Sequence, residues 1–395
     1  AERGTAPRGS RHQTMITRSI STSIRGNLIR SAINSLDVST MHGNPLSEEN
    51  GTATEMAHTA SHLISSPWVD GEEGVDESVD PFKIVSADVN KLNGNIKELL
   101  GSDHPVLETV AQYFFDSEGK KIRPTIVLLT SKAINPSGEV SSAQVRLAEI
   151  TEMIHTASLL HDDVIDSAET RRGRSSVNQI FGNKLAILAG DFLLARSSVC
   201  LARLRDVEVV ELLANVIEHL VKGEVFQMKN LTSREAPFDY YMQKNFYKTG
   251  SLMANSCRAA AVLEGHSLET QEIVFDYGRS LGACFQIVDD ILDFTSSEED
   301  LGKPVLNDLR QGLSTAPILF AHEQFPKVYE LAARSYNEDG DVEEALDYVQ
   351  RSGGLERTRD LAIQYSNLAV EAALKLEKSE ARDGLVKLAR AVINQ

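Results

Sequence analysis

Two short acidic motifs are the part of this sequence with the clearest potential for chemistry. The first, DDVID, occupies residues 162–166, and the second, DDILD, occupies residues 289–293. Each follows an apolar run, MIHTASLLH or GACFQIV, so each is predicted to lie at the end of a buried helix. Carboxylates crowded together repel one another, and a cation between them would relieve that repulsion.

The spacing within each motif places two carboxylates on one face of a helix. Residues four apart differ by about 40° around the helix axis, so Asp162 shares a face with Asp166, and Asp289 with Asp293. Such oxygen-rich faces suit hard divalent cations, and Mg²⁺ binds through one or two carboxylates plus the phosphates of a substrate. A solvated helix end or a salt-bridge cluster would explain one motif alone. Two copies, each after a core-like run, favour metal binding.

His155 is aligned with the first acidic face. It precedes Asp162 on the same predicted helix, about 20° away around the axis and about 10 Å away along it. This alignment favours a side chain that faces the substrate. The alternative is a core histidine that is bonded to a backbone group.

Basic clusters offer sites for anions. In EGKKIRPTIVLL, Lys120, Lys121 and Arg123 precede an apolar run, and Pro124 is typical of the first turn of a helix. Free N–H groups and the dipole at a helix N-terminus already favour an anion. An exposed basic turn is the simpler alternative.

A second basic pair, Arg171 and Arg172, follows the first acidic motif. It is either another anion site or the ion-pair partner of Asp163 or Asp166. Lys248, Thr249 and Lys303 are further candidates for contact with an anion. Each is weak individually, because a lysine on a helix is usually solvated. Two acidic and at least two basic clusters together suit two diphosphate substrates, one held through Mg²⁺ and the other by Lys and Arg. The sequence has no glycine-rich nucleotide loop, nucleophile elbow or zinc motif.

The remaining pattern predicts an all-α fold. Long segments with helical periodicity follow one another from residue 82 onward, without the alternation typical of strands. Several are apolar around most of their circumference, which is typical of central helices in a large single-domain bundle. A net charge of −17 over 395 residues argues against a nucleic-acid partner, and no run of 18 apolar residues suggests a membrane span. Three cysteines without metal-ligand spacing are expected to be reduced: Cys200, Cys257 and Cys284.

The first 82 residues differ in composition from the rest. Residues 1–40 carry six arginines and two acids among many Ser and Thr, which is typical of an organellar transit segment; a disordered basic tail is the alternative. Residues 41–82 hold nine acids and no Lys or Arg, which indicates an acidic disordered linker. Residues 83–395 are then predicted to form the catalytic domain.

From about residue 83 the sequence resembles the trans-polyprenyl diphosphate synthases. The resemblance is carried, in order, by GKKIRP, IHTASLLHDDVIDSAETRRG, GNKLAILAGDFLL, KTGSL, FQIVDDILDF and GKPVLNDLRQGLSTAP. It is strongest to the mitochondrial long-chain synthases that make the side chain of ubiquinone. It implies a helical bundle of the isoprenoid synthase type with a central cavity. One departure is Glu118, where many members have a second glycine.

The resemblance also implies roles for individual residues. The metal-binding set is Asp162, Asp163, Asp166, Asp289, Asp290 and Asp293, of which Asp162, Asp166 and Asp289 would be the main ligands for Mg²⁺, with Mn²⁺ as the alternative ion. Isopentenyl diphosphate would be held by Lys120, Arg123, His155 and Arg172. The allylic diphosphate would face Arg171, Lys248, Thr249, Gln286 and Lys303. The residues implied in catalysis are Asp162, Asp166, Asp289, Lys248 and Lys303.

The implied reaction is repeated trans-prenyl transfer to an allylic primer. Ala157 and Ser158 are small where shorter-chain relatives often carry an aromatic floor, so the resemblance implies a long product; close helix packing is the alternative explanation. The family suggests a homodimer, or a heteromer with a second subunit, with peripheral membrane contact for product release. Location in the mitochondrion is expected, with the plastid as the alternative.

Four rival interpretations remain. A terpene cyclase would usually replace the second acidic motif and lack GKKIRP. A non-catalytic subunit of a heteromeric synthase would lose acidic residues, and both motifs here are intact. A shorter-chain, geranylgeranyl-type synthase is the remaining enzymatic alternative, and the size of the product distinguishes it. A generic divalent-cation binder would leave the lysines and arginines unexplained.

Overall fold

Helices make up nearly all of the chain that the structure describes. The computed structural model describes residues 74–101, 109–110, 113–115, 119–135, 137–171, 173–228, 237–295 and 306–394. Within those ranges the β-structure is limited to a hairpin of two-residue strands, Thr170–Arg171 (β1) and Arg174–Ser175 (β2). The all-α prediction is confirmed.

The helices follow the predicted segments closely. The N-terminal part forms α1 (Pro81–Ile84), α2 (Ser86–Leu100), α3 (Ile122–Ile134), α4 (Ser142–Ile165), α5 (Val177–Phe181), α6 (Asn183–Leu204) and α7 (Val207–Met228). The C-terminal part forms α8 (Pro237–Asn245), a π-helical turn (Phe246–Gly250), α9 (Ser251–Val262), α10 (Leu268–Thr295), α11 (Asn307–Arg310), α12 (Ala316–Gln324), α13 (Lys327–Ala333), α14 (Asp341–Ser352), α15 (Gly354–Leu374) and α16 (Glu380–Ile393).

Helix α4 carries the first acidic motif through the interior to its own C-terminal end. A capping box fixes its start: the Gln144 N–H donates to Ser141 Oγ, and the Ser141 N–H donates to Gln144 Oε1. Leu147 and Met153 are fully buried, and α4 packs against α3 and α6. The helix therefore leaves the core just where Asp162 begins the motif.

Helix α10 brings the second acidic motif to its C-terminal end in the same way. It packs against α9 and α15, and the approach to α9 is close enough to require glycine. A Cβ at Gly278 would lie 2.7 Å from the Met253 carbonyl oxygen, and one at Gly282 would lie 2.6 Å from Gly250 Cα. The position of the second motif is therefore fixed by backbone contact with α9 and the π-helical turn.

Helix α6 is long and apolar enough, by length and composition, to cross a membrane, and it alone among the described helices has this property. Core helices of soluble proteins pass the same test. Here 39% of the apolar window is buried, and one side of the helix packs against α4. The cysteines on α6, α9 and α10 are buried and reduced in this structure.

Residues 74–80 pack against the C-terminal helix α16. The Asp76 N–H donates to the buried carboxylate of Asp383 (2.9 Å), and Arg382 donates to the Gly74 carbonyl oxygen (2.9 Å). Val79 is 6% exposed. These residues belong to the segment interpreted above as an acidic linker, and they add contacts to the helical bundle.

Candidate active site

The first acidic motif divides its carboxylates between two directions. The Asp166 N–H donates to the Asp162 carbonyl oxygen (2.8 Å), so the helical turn continues and both side chains share one face. Asp163 is 1% exposed and accepts from Arg171 Nε (2.7 Å) and Nη2 (2.6 Å). Of the two interpretations of Arg171, the structure therefore shows the ion pair with Asp163.

Lys248, on the π-helical turn, lies beside the first motif. Its Nζ is 2.8 Å from Glu224 Oε1 and donates to Gln227 Oε1 (2.9 Å). Burial lowers the pKa of Lys248, but Glu224, Asp162 and Asp166 together outweigh it, so the net pKa lies above the ordinary lysine value. Lys248 therefore stays protonated among carboxylates.

The first motif is electrostatically costly without a further cation. Burial raises the pKa of Asp162 to about 7; Lys248 opposes the rise, and Glu224 and Asp166 add to it. Burial likewise raises the pKa of Asp166. Lys248 and Arg171 together do not offset burial and the neighbouring acids, so a divalent ion that binds here would stabilise the ionised carboxylates.

In the second motif, Asp290 is held by a hydrogen-bond network. It is 3% exposed and accepts from Tyr241 Oη (2.6 Å) and Gln286 Nε2 (3.1 Å). Thr249 Oγ1 in turn donates to Gln286 Oε1 (2.8 Å). The network joins the π-helical turn to the second motif through Thr249, while the adjacent Lys248 interacts electrostatically with the first motif.

The other two carboxylates of the second motif differ sharply in exposure. Asp293 is 1% exposed and accepts the N–H groups of Asn307 (3.2 Å) and Asp308 (3.1 Å) at the start of α11. Asp289 is exposed. Asp289 therefore has access to solvent, while Asp293 holds α11 against the end of α10.

Lys244 connects the two motifs. Burial lowers its pKa, with Asp290 and Asp308 opposing that shift and Lys248 adding to it. Burial and Asp308 raise the pKa of Asp290 to about 7, and Lys244 opposes that rise. Lys248 interacts electrostatically with the first motif and Lys244 with the second, and the two lysines also interact with each other. The two acidic motifs are therefore linked electrostatically through this pair of lysines.

The carboxylates do not form a closed metal cage. Among the described residues, no group of three or more His, Cys, Asp or Glu side chains lies close enough to hold an ion by itself. Mg²⁺ commonly binds through one or two carboxylates and completes its shell with water and substrate phosphates. The paired Asp162 and Asp166 with exposed Asp289 fit that arrangement.

The predicted anion site at the start of α3 is formed by two layers of contacts with α4. Arg123 Nη1 lies 3.0 Å from His155 Nε2, and Lys120 is exposed just before the start of α3. One turn below, Lys121 Nζ pairs with Glu152 Oε1 (2.9 Å). Arg123 and His155 therefore lie together, while the Lys121 charge is neutralised.

The remaining predicted residues fall into two groups. Ala157 is fully buried, and Ser158 is half-buried with its hydroxyl donating to the His155 carbonyl oxygen (2.9 Å). Arg172, Lys303 and Glu118 lie outside the residues that the structure describes.

Several site residues were missed by reasoning from the sequence: Glu152, Glu224, Gln227, Tyr241 and Lys244. A usable signal existed for some of them. Glu224 and Gln227 are three apart in KGEVFQM, and Lys244 precedes Lys248 by four, so each pair shares a helix face. What the sequence could not supply was the contact between α7 and the π-helical turn.

Comparison with known proteins agrees with this geometry. The sequence model of the family described as "Polyprenyl synthetase" matches residues 104–350. Solanesyl-diphosphate synthase 1, mitochondrial, of Oryza sativa subsp. japonica is 44% identical over 84% of this chain and 83% of its own length. A probable mitochondrial hexaprenyl pyrophosphate synthase of Neurospora crassa is 45% identical over 84% of this chain and 85% of its own.

A solved structure shares the fold. It is the polyprenyl synthase of Caulobacter crescentus complexed with calcium and isoprenyl diphosphate, with a TM-score of 0.74 at 29% identity over 82% of this chain and 99% of that one. The family match, the two relatives and this fold all agree with the resemblance that the motifs carry. The chain therefore belongs to the polyprenyl synthetase family of prenyltransferases.

Proposed function

We propose that the chain is a Mg²⁺-dependent synthase that condenses isopentenyl diphosphate repeatedly onto an allylic diphosphate and releases a long-chain all-trans polyprenyl diphosphate. The observation that supports it most is the pair Lys244 and Lys248: Lys248 interacts with Asp162 and Asp166 of the first motif, and Lys244 with Asp290 of the second. The two mitochondrial relatives, named for solanesyl and hexaprenyl products, support a long product and the ubiquinone side chain as its destination.

The allylic diphosphate would lie between the two acidic motifs. Magnesium held by Asp162, Asp166 and Asp289, with the other motif carboxylates in support, would withdraw charge from the diphosphate and help it leave. Lys248, kept protonated by its acidic neighbours, would stabilise the negative charge that develops on the leaving group. Asp163 would act through Arg171, which it orients, and Lys303 is proposed to assist from the segment after α10.

Isopentenyl diphosphate would bind at the start of α3. Lys120, Arg123 and His155, with Arg172, would hold its diphosphate and so aim its double bond at the allylic carbon. Once the new carbon–carbon bond has formed, a proton must leave the carbon next to the resulting cation. The released diphosphate is an anion with basic oxygen atoms and can accept that proton. No protein base is required for that step.

The growing tail is proposed to pass Ala157 and Ser158 on α4. Both lie within two turns before Asp162 on the helix that carries the first acidic motif. Because neither side chain is large, the tail can lengthen past this point before it meets an obstacle. The number of condensations would then depend on residues deeper in the bundle.

The chain is further proposed to act as a homodimer in the mitochondrion. Apolar side chains are exposed along adjacent helices α6 and α7, among them Leu188 (45%), Val199 (41%), Val221 (62%) and Val225 (39%), and a second copy would cover them. Light scattering of the purified chain is expected to give twice the chain mass, and Val221→Asp is expected to shift that mass toward the monomer.

The Arg- and Ser-rich residues 1–40 support import into the mitochondrion, and a fluorescent protein fused after residue 73 is expected to enter mitochondria.

Turnover by the purified chain tests the proposal directly. The chain is incubated with isopentenyl diphosphate, an allylic primer and Mg²⁺, and the products are sized after dephosphorylation. Polyprenols of six or more isoprene units are expected, given the names of the relatives. A product no longer than geranylgeranyl diphosphate would contradict the long-chain assignment, and turnover only after addition of another subunit would indicate a heteromeric synthase.

A further inference from the structure

A buried ion pair lies directly behind the proposed isopentenyl diphosphate site. Lys121 Nζ is 2.9 Å from Glu152 Oε1, and the two side chains are only 12% and 4% exposed. The Lys121 ammonium also lies 5.7 Å from the centroid of the Phe115 ring, which is itself buried. Removing a single partner from such a pair leaves a buried charge without compensation.

The backbone at Lys121 takes a conformation that needs support. Its φ is 47° and its ψ is 39°, in the left-handed region that residues with a Cβ rarely adopt. The Thr125 N–H donates to the Lys121 carbonyl oxygen (3.1 Å), so helix α3 starts immediately after this turn. The left-handed turn therefore sets the direction in which Lys120 and Arg123 leave the chain on either side of it.

The ion pair and the anion site form two successive contacts between the same elements. Glu152 and His155 are three residues apart on α4 and so share a face. Lys121 and Arg123 flank the first residue of α3, and each contacts one of those two side chains. The Lys121–Glu152 contact is thus the buried support for the Arg123–His155 contact above it.

We propose that Glu152 and Lys121 are positioning residues for isopentenyl diphosphate: their ion pair holds the left-handed turn so that Lys120 and Arg123 converge on one diphosphate. This inference rests on the proposed function, because it assigns that diphosphate to this site. Lys121 itself does not bind the ligand, since Glu152 already neutralises its charge in the interior.

The alternative, in which Lys121 is a direct ligand, makes an opposite prediction. Loss of the Glu152 carboxylate would then free an ammonium group for the diphosphate and tighten binding. In the positioning account, loss of either partner disturbs the turn, so both losses weaken binding. The same interaction is removed in each case, so the two effects do not add.

The experiment compares Glu152→Gln, Lys121→Met and the double variant in the full-length chain. The dissociation constant of isopentenyl diphosphate alone is measured by calorimetry, and KM is measured for both substrates. Each single variant is expected to weaken isopentenyl diphosphate about tenfold, as small displacements of binding groups do, with the KM of the allylic substrate nearly unchanged. The double variant is expected to be no worse than either single one.

Helix α4 offers a matched control. Glu149 is as buried as Glu152, and it is paired with Arg146 (2.6 Å) and Asn95 (2.6 Å) rather than with the left-handed turn at Lys121. Glu149→Gln is expected to leave both KM values unchanged, and Lys121→Arg, which keeps the ion pair, is expected to bind like the original chain. If a single variant does not fold, the double variant replaces it, because it leaves no unpaired buried charge.

Three results would overturn the inference: tighter binding in Glu152→Gln, unchanged isopentenyl diphosphate binding in the variants, or an equal rise of both KM values. The last would indicate a general structural role. Lack of turnover by the unaltered chain would contradict the proposed function instead, and the calorimetric comparison separates that failure from failure of the positioning role.

Discussion

Buried carboxylates in both acidic motifs have too little positive charge nearby to be fully stabilised in their ionised form. Glu224 fixes Lys248 beside Asp162 and Asp166, yet burial still raises the pKa of both aspartates. Burial has the same effect on Asp290 at the other motif. The carboxylates thus favour protonation when alone and ionisation when a divalent ion is bound.

Magnesium affinity should consequently depend on pH near neutrality. The pKa of Asp162 is raised from an ordinary value of 3.8 to about 7, so below pH 7 a proton competes with the ion for this carboxylate. Titration calorimetry is expected to show affinity for Mg²⁺ falling about tenfold in total from pH 8 to pH 6 for one displaced proton, with most of the loss below pH 7. Between pH 4 and 7 the metal-free chain should lose stability as pH rises. An affinity that is constant over this range would contradict the shift.

Lys248 should matter for the chemical step. Lys248→Met removes the ammonium group that would face the leaving diphosphate, and kcat is expected to fall by about 10² to 10³, as for other lost charge-stabilising donors. Lys327→Met is the control, because Lys327 is 55% exposed and pairs with Glu344 on the surface. Steady-state kinetics with both substrates would show the loss in kcat. A variant with full kcat would exclude this role.

Ala157 should influence product length. Ala157→Phe places a ring two turns or less below the carboxylates, so elongation is expected to stop earlier and the mean product to shorten. Since Ala157 is fully buried, Ser158→Phe at the half-buried neighbouring position provides a second variant that the fold accepts more easily. Chromatographic sizing of the products is the measurement. Unchanged length in an active variant would favour the alternative, simple helix packing.

At the scale of elements, the π-helical turn Phe246–Gly250 explains how one short sequence serves both motifs. The periodicity of YYMQKNFYKTGSLM predicts an uninterrupted α-helix, and the structure instead inserts the wider turn between α8 and α9. Such turns are rare and often occur at functional sites. Lys248 reaches α7 and Thr249 reaches α10 from this turn. Gly223 on α7 and Gly282 on α10 allow the backbone of the π-helical turn to approach both helices closely.

Gly282→Ala tests this packing. The added Cβ would lie 2.6 Å from Gly250 Cα, so α10 and the turn must separate, at a cost of about 1–3 kcal/mol. Both thermal stability and kcat are expected to fall because Thr249 and Lys248 move. Gly94→Ala is the matched control: it lies within α2 with open space around it, and it should gain about 0.5–1 kcal/mol. Similar unfolding curves for the two variants would contradict the account.

Across the whole molecule, local sequence patterns predicted the secondary structure and the acidic motifs, but they did not predict the contacts between distant segments. Helical period and the spacing of DDVID and DDILD were enough to predict an all-α fold and acidic faces at helix ends. They did not predict Glu224 beside Lys248, because that pair depends on how α7 meets the π-helical turn. The contact of Asp76 with Asp383 was also invisible, since acidic composition indicates a linker whether or not a distant helix accepts it.

Truncation tests the role of that N-terminal contact. A chain that starts at Gly74 keeps the bonds to Asp383 and Arg382 and the buried Val79, so its melting temperature and activity should match those of the full chain. A chain that starts at Phe82 loses these contacts and is expected to melt several degrees lower. Thermal unfolding of the two truncated proteins gives the comparison. Equal melting temperatures would show that residues 74–81 contribute nothing to stability.

A crystal structure with Mn²⁺ and a non-hydrolysable allylic diphosphate analogue would show whether both acidic motifs hold the metal ions of one diphosphate. Anomalous scattering from Mn²⁺ locates each ion without ambiguity. Ions are expected between the analogue and both acidic motifs, held by Asp162 and Asp166 and by Asp289, with Lys248 on the same diphosphate. Ions found elsewhere, or motifs that face separate cavities, would contradict it.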